Sequence, residues 1–176
     1  MPAPSGLAVV SMGSVEGMHG TCAPSYDLDT LDYDELDEQA GFLLRLAQIQ
    51  IFDAYFRDFA PRSLRPGMFS ALLLIDRNPG IRHGLLAAAL RVKLAHMTKL
   101  LNALEDQGLI ERRQPPEDRR SVHFYTTPEG SAFVNRATPE LYAHDARQLE
   151  MLTARERRQL IRLLRKFVGF PPRNDG

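Results

Sequence analysis

Two short bursts of apolar residues at helical spacing, separated by Arg91-Val92-Lys93, dominate the middle of the chain. The first predicts a helix over residues 81–90, with Leu86 and Leu90 packing inward and Ala87, Ala88 and Ala89 small enough for a neighbour to approach closely. In the second, Leu94, Met97, Leu100, Leu101 and Leu104 fall on one stripe, so Ala95, Thr98, Lys99 and Asn102 share the opposite face, which is small, polar and basic. Glycine accepts the left-handed conformation of a C-terminal cap, so Gly108 predicts that this helix ends near Gln107. Beyond it, the runs 109–114 and 121–126 flank Pro115-Pro116-Glu117-Asp118-Arg119-Arg120, which has turn composition and no apolar anchor. The order is helix, turn, helix, strand, basic tip, strand.

Longer helical patterns lie on either side. Over residues 36–59, Leu36, Ala40, Leu43, Leu44, Ala47, Ile51, Phe52, Tyr55, Phe56 and Phe59 make a stripe wide enough for two neighbours, and Pro61 ends it. Arg65-Pro66-Gly67-Met68 opens a second helix whose unbroken run Leu72 to Ile75 implies burial all round, before Asn78-Pro79-Gly80 breaks it. Thr127 followed by Pro128 and Glu129 starts another helix, expected to reach about residue 152 with an interruption or kink near Pro139. Thr153-Ala154-Arg155-Glu156 has the spacing of a capping box, and the last helix carries Leu160, Ile161, Leu163, Leu164, Phe167 and Val168 before stopping at Gly169. The expected fold class is mainly α with a small β wing, a winged helix-turn-helix carried on a helical dimerisation region. Its expected parts are a flexible acidic arm (1–35), the dimerisation helices (36–62 and 128–170) and the DNA-binding region (63–127).

Charge changes the picture more than composition does. Lys plus Arg equals Asp plus Glu at 22 each, yet residues 16–38 hold eight acids and no Lys or Arg, whereas residues 77–120 hold nine bases against five acids. A local excess of base within a neutral chain is the footprint expected for phosphate. The first 25 residues are rich in Gly and Pro and cannot repay ordering entropy unaided, so a flexible or partner-ordered arm is expected. The acids that follow can serve as a DNA-mimicking brake on the basic wing, or as a solvated run.

The single Cys22 excludes an internal disulfide framework and a cysteine-based zinc site, in keeping with a reducing cytoplasm. No apolar run approaches the ~20 residues of a membrane span, and no charged segment precedes Leu7-Ala8-Val9-Val10 as a secretion signal requires. His19, His83, His96, His123 and His144 are scattered outside any hydrolytic or phosphate-loop motif, so no catalytic residue, metal site or cofactor is expected. Two other readings stay open: a helical module that binds protein and not DNA, and a regulator that senses oxidants through Cys22.

The basic helix face and the hairpin favour DNA. Thr98, Lys99 and Asn102, with Ala95 beside them, are placed to face the major groove, where Asn suits adenine and Lys suits guanine or phosphate. Lys93 stands at the helix start, where phosphates gather, and His96 flanks the same face. Arg112 and Arg119 are candidate backbone contacts.

Residues 90–104, then Gly108-Leu109-Ile110-Glu111-Arg112-Arg113, Asp118-Arg119-Arg120-Ser121 and Thr126-Thr127-Pro128-Glu129-Gly130, resemble the multiple antibiotic resistance regulator (MarR) family of bacterial transcription factors. The resemblance covers roughly residues 36–170 and departs from the family where Ala95 and Ala103 replace a frequent Ser or Arg. It implies that Arg120 enters the minor groove while Asp118 orients it, with an Asp118 to Arg120 ion pair across the turn as the competing structural role. It also implies a phenolic ligand held between the dimerisation helices and the DNA-binding lobe. The first helix interleaves Phe42, Phe52, Tyr55, Phe56 and Phe59 with Arg45 and Arg57, and Arg62 and Arg65 follow, which pairs aromatic walls with guanidinium groups. Phe42, Arg45, Phe52, Tyr55, Phe56 and Arg65 are the candidate ligand residues, although an aromatic stripe at this spacing equally serves as core. The expected protein is a cytoplasmic homodimeric repressor on a palindromic operator, released by a small aromatic acid or related phenolic compound.

Overall fold

The computed structural model describes residues 30–59, 64–114 and 121–171. Cys22, most of the acidic arm, Arg62, Asp118, Arg119 and Arg120 lie outside the described residues. The chain separates into two units, 1–39 and 40–176. In the first, Asp34–Leu36 forms a single 3₁₀ turn in which Asp32 Oδ1 accepts the Asp34 N–H at 2.9 Å. The expected helix from residue 36 therefore begins only at Ala40, because a side-chain acceptor and i−3 bonding, Leu36 N–H to Tyr33 O at 3.0 Å, satisfy the backbone in another way.

In the second unit the described elements are α1 (Ala40–Phe59), α2 (Pro66–Arg77), β1 (Ile81–Arg82), α3 (His83–Ala89), α4 (Leu94–Asp106), β2 (Ile110–Arg113), β3 (His123–Thr126), α5 (Pro128–Gln148) and α6 (Ala154–Phe167). The strands form one antiparallel sheet in the order β1-β3-β2, with Ile81 opposite Phe124 and Arg113 opposite His123. The core lies beneath α4: Met97, Leu101 and Leu104 meet Leu72 and Ile75 of α2, Leu86 of α3, Val134 of α5 and Phe124 of β3.

Several sequence expectations are corrected. Ile81 and Arg82 are a strand rather than the start of the first DNA-binding helix; Gly80, at φ 84°, turns the chain so that its N–H meets the Phe124 carbonyl at 2.9 Å. Leu94 leaves the buried stripe of α4 and is 57% exposed, since the first turn of the helix projects past the core. Along α2, Leu73 and Leu74 are half-buried while Leu72 and Ile75 are buried, so burial is strongest on one face. Helix α5 runs through Pro139 as one element and stops at Gln148. Pro139 and Asn135, whose carbonyl loses its helical donor, both lie on the exposed side, where water can replace that donor.

The end of α4 is locked to the start of α5. Gly108 takes φ 69° and ends the helix, after which the Leu109 carbonyl accepts the Thr127 N–H at 3.1 Å. The Thr127 hydroxyl donates to Gly108 O at 2.6 Å and accepts the Gly130 N–H at 3.0 Å, capping α5. Nearby, Asp76 Oδ1 on α2 accepts from the Ser131 hydroxyl at 2.7 Å and from Thr126 at 3.3 Å, joining three elements through one half-buried carboxylate. At α6 the Thr153 hydroxyl and N–H donate to Glu156 Oε2 at 2.6 and 2.8 Å, while the Glu156 N–H reaches the hydroxyl at 3.3 Å. Together these bonds form the capping box.

A Cβ at Gly130 would stand 1.9 Å from Leu109 O, a backbone atom with no room to retreat. Gly130→Ala should therefore cost at least about 2 kcal/mol in chemical denaturation, whereas Gly84→Ala, with nothing within 4 Å, should be neutral or stabilising. Equal stability of the two variants would show that the junction is not close-packed. The Thr153 hydroxyl, and after it the Thr153 amide, hold the Glu156 carboxyl below its ordinary value of 4.5. A depressed carboxylate pKa contributes stability above the unfolded value and loses it as pH falls through the folded one. Thr153→Ala should lower the melting temperature at pH 7, with a deficit that narrows as the pH is taken below 4.5.

Candidate functional site

Helix α4 is buried on one side through Met97, Leu101 and Leu104 and presents Ala95, His96, Thr98, Lys99 and Asn102 on the exposed side, with Lys93 at its N-cap. The turn before it depends on Arg91, which adopts φ 53°. The Arg91 guanidinium donates to the Val168 carbonyl at the end of α6, so the turn is tied to the last helix. His83 of α3 sits over the first turn of α4: its Nε2 lies 3.1 Å from Leu94 O and 3.3 Å from the Thr98 hydroxyl, which itself donates to Leu94 O at 3.0 Å. His83 thereby positions Thr98, a role that the sequence reading did not assign to it.

The arginines of β2 have local partners. Arg112 donates to Asn102 Oδ1, approaches Glu105 at 2.7 Å and lies over the Phe124 ring at 5.8 Å. Arg113 pairs with Glu111 and covers the Tyr125 ring at 4.6 Å. Asn102 and Arg112, both candidate DNA contacts, thus form one unit in which a base edge or phosphate must share or displace an existing bond. The Arg112 to Glu105 pair is exposed on both sides, so its exchange for phosphate costs little.

The candidate ligand residues divide between two faces of α1. Arg45, Phe52 and Phe56, spaced by seven and four residues, share an exposed face with Ile49, while Phe42 is half-buried. Tyr55 is buried, its hydroxyl donating to Leu64 O immediately before Arg65, which is exposed at the N-cap of α2. Tyr55 meets Phe56 edge-on at 5.8 Å and Phe59 at 5.1 Å, and both Tyr55 and Phe59 pack against His144 of α5. His144 was among the scattered histidines in sequence. Its spacing from Val134 and Leu141 on one face of α5 is the signal that would have marked it as inward-facing.

A helix with a buried apolar back and a polar front, followed by a two-stranded extension of a small sheet, defines a winged helix-turn-helix regulator. The MarR family pattern matches residues 64–122. Over 142 residues the chain is 33% identical to a protein assigned to the transcriptional regulation of the hcr operon in Thauera aromatica, covering 80% of this chain and 86% of that one. The chain belongs to the MarR family of transcriptional regulators, a family of regulators and not of enzymes. The solved repressor CouR bound to a 23-mer DNA duplex superposes with a TM-score of 0.74 at 34% identity, over 78% of this chain and 98% of CouR. CouR bound to p-coumaroyl-CoA gives 0.70 at 31% identity, over 79% and 98%. The Mycobacterium tuberculosis MarR family protein Rv2887 in complex with salicylic acid gives 0.61 at 29% identity, over 73% and 96%. None of the described helices is long and apolar enough to cross a membrane.

Proposed function

We propose that the chain is a cytoplasmic homodimeric repressor that reads a palindromic operator with α4 and leaves it when an aromatic carboxylate, or its coenzyme A thioester, binds. The observation that carries the DNA-binding part is the exposed face Ala95, His96, Thr98, Lys99 and Asn102 on a helix whose other side buries Met97, Leu101 and Leu104. Residues 63–127 form the DNA-binding region in this reading. Lys99, Thr98 and Asn102 read base edges; Lys93, Arg112 and Arg119 meet phosphates; Arg120, oriented by Asp118, enters the minor groove.

Dimerisation by residues 36–62 and 128–170 is supported by exposed Leu43, Leu44, Ile49 and Phe52 on α1 and by Ile161, Leu163 and Phe167 on α6. An apolar surface of this extent marks an interface, and two-fold symmetry matches a palindrome. The effector class is supported by the aromatic and arginine residues of α1 and Arg65, and by the aromatic ligands of CouR and Rv2887. An effector must bind the DNA-incompetent state more tightly, since equal affinity shifts nothing.

Light scattering at micromolar concentration should give twice the 19.8 kDa of the chain; a monomer would remove the symmetric-operator reading. Lys99→Ala and Arg120→Ala should each weaken operator binding by about 1 to 3 kcal/mol. Arg112→Ala should weaken it across all sequences and reduce the salt slope by about one. Unchanged binding of all three over a salt series would contradict the proposed surface. In gel shifts, benzoic or cinnamic acids or their thioesters should release the DNA, and failure of the whole panel at millimolar concentration would discard the effector class while leaving DNA binding intact.

A further inference from the structure

His144 is 3% exposed between α1 and α5, with the Phe59 ring 5.0 Å away at 71° and the Tyr55 ring 6.3 Å away at 87°. Asp58 Oδ2 lies 3.1 Å from Nδ1, at ion-pair distance but outside hydrogen-bond alignment, and Nε2 has no partner among the described residues. Buried polar atoms are almost always paired, so an imidazole nitrogen enclosed by aromatic rings with nothing to bond calls for an occupant. The Tyr55 hydroxyl does not supply one, because it donates to Leu64 O.

We infer that His144 Nε2 is the hydroxyl-recognising atom of the effector site, accepting a hydrogen bond from a phenolic O–H. This rests on the aromatic-effector reading above and specifies which end of the molecule enters. With its hydrogen on Nδ1, the nitrogen that faces Asp58 Oδ2 at 3.1 Å, the ring keeps a lone pair on Nε2. A phenol can donate to that lone pair. A carboxylate in the same place would meet the lone pair directly and face a second negative charge across the ring, so the anionic end of the effector stays outside. The edge-on contact between Tyr55 and Phe56 extends the aromatic surface from the buried histidine toward Phe56 and Phe52, which are 39% and 41% exposed. The exposed Arg45 lies on that same outer face of α1 and Arg65 at the start of α2, positions suited to an acyl carboxylate or thioester.

The test is calorimetric titration of the full-length protein with 4-hydroxycinnamic acid, 4-methoxycinnamic acid and cinnamic acid, and with the coenzyme A thioesters of the first two. The hydroxylated compounds should bind at least about 10-fold more tightly than their methoxy or unsubstituted counterparts, the factor expected of one buried hydrogen bond. In His144→Phe that preference should fall to near unity without a lower melting temperature, because the change removes an unpaired polar atom and keeps an aromatic ring. If His144→Phe does not fold, His144→Gln decides by the same ratio, which should fall relative to the parent. Equal binding of hydroxy and methoxy compounds by the parent, or a full preference retained in the folded variant, overturns the assignment of His144 and leaves the aromatic-effector reading standing. If no compound of the series binds the parent at millimolar concentration, both are overturned.

Discussion

The carbonyl of Leu109 is the contact on which the arrangement of the winged helix-turn-helix depends. It accepts the Thr127 N–H and lies so close to Gly130 that no side chain fits between them. Gly108 has just ended α4, β2 begins at the next residue, and Thr127 caps α5, so one backbone crossing sets where α4 stops, where the wing starts and how α5 leaves the sheet. A displacement here would move all three together. The Asp76, Thr126 and Ser131 hydrogen bonds brace the same corner from the α2 side.

The exposed face of α4 is organised by local electrostatics as much as by exposure. His83 holds the first turn of α4 through Leu94 O and Thr98, and Arg112 holds Asn102 from the wing. Thr98 and Asn102 are thereby already restrained in one direction, which lowers the side-chain entropy that either loses on binding a further group. The link from Arg91 to the end of α6 extends this restraint from the turn before α4 to the last helix of the chain.

The helices outside the winged helix-turn-helix have a different character. Along α1 only Ala54 and Tyr55 are buried, and no residue of α6 is, although both helices carry apolar residues at helical spacing. Their order comes from caps and turns, such as the Thr153 to Glu156 box, and from the α1 to α5 contact at His144. Helices held so lightly within one chain are the elements that a partner surface or a ligand can shift at low cost.

The sequence alone determined what periodicity and local backbone chemistry control. The positions of α2, α4, α5 and α6, the stop at Gly108, the caps at Thr127 and Thr153 and the two strands of the wing all follow from residues within a few positions of each other. So did the face of α4 that carries Thr98, Lys99 and Asn102, because a helix converts spacing directly into direction. Tertiary structure decided what depends on partners distant in the chain. Strand β1 exists only because Gly80 delivers Ile81 to Phe124, more than 40 residues away, Leu94 is exposed because the core ends before it does, and Tyr55 turns inward while Phe52 and Phe56 do not because α5 lies on one side of α1 alone. The burial of His144 belongs with these: its spacing on α5 marks a face, but only the packing of Phe59, Tyr55 and Asp58 around it removes it from water.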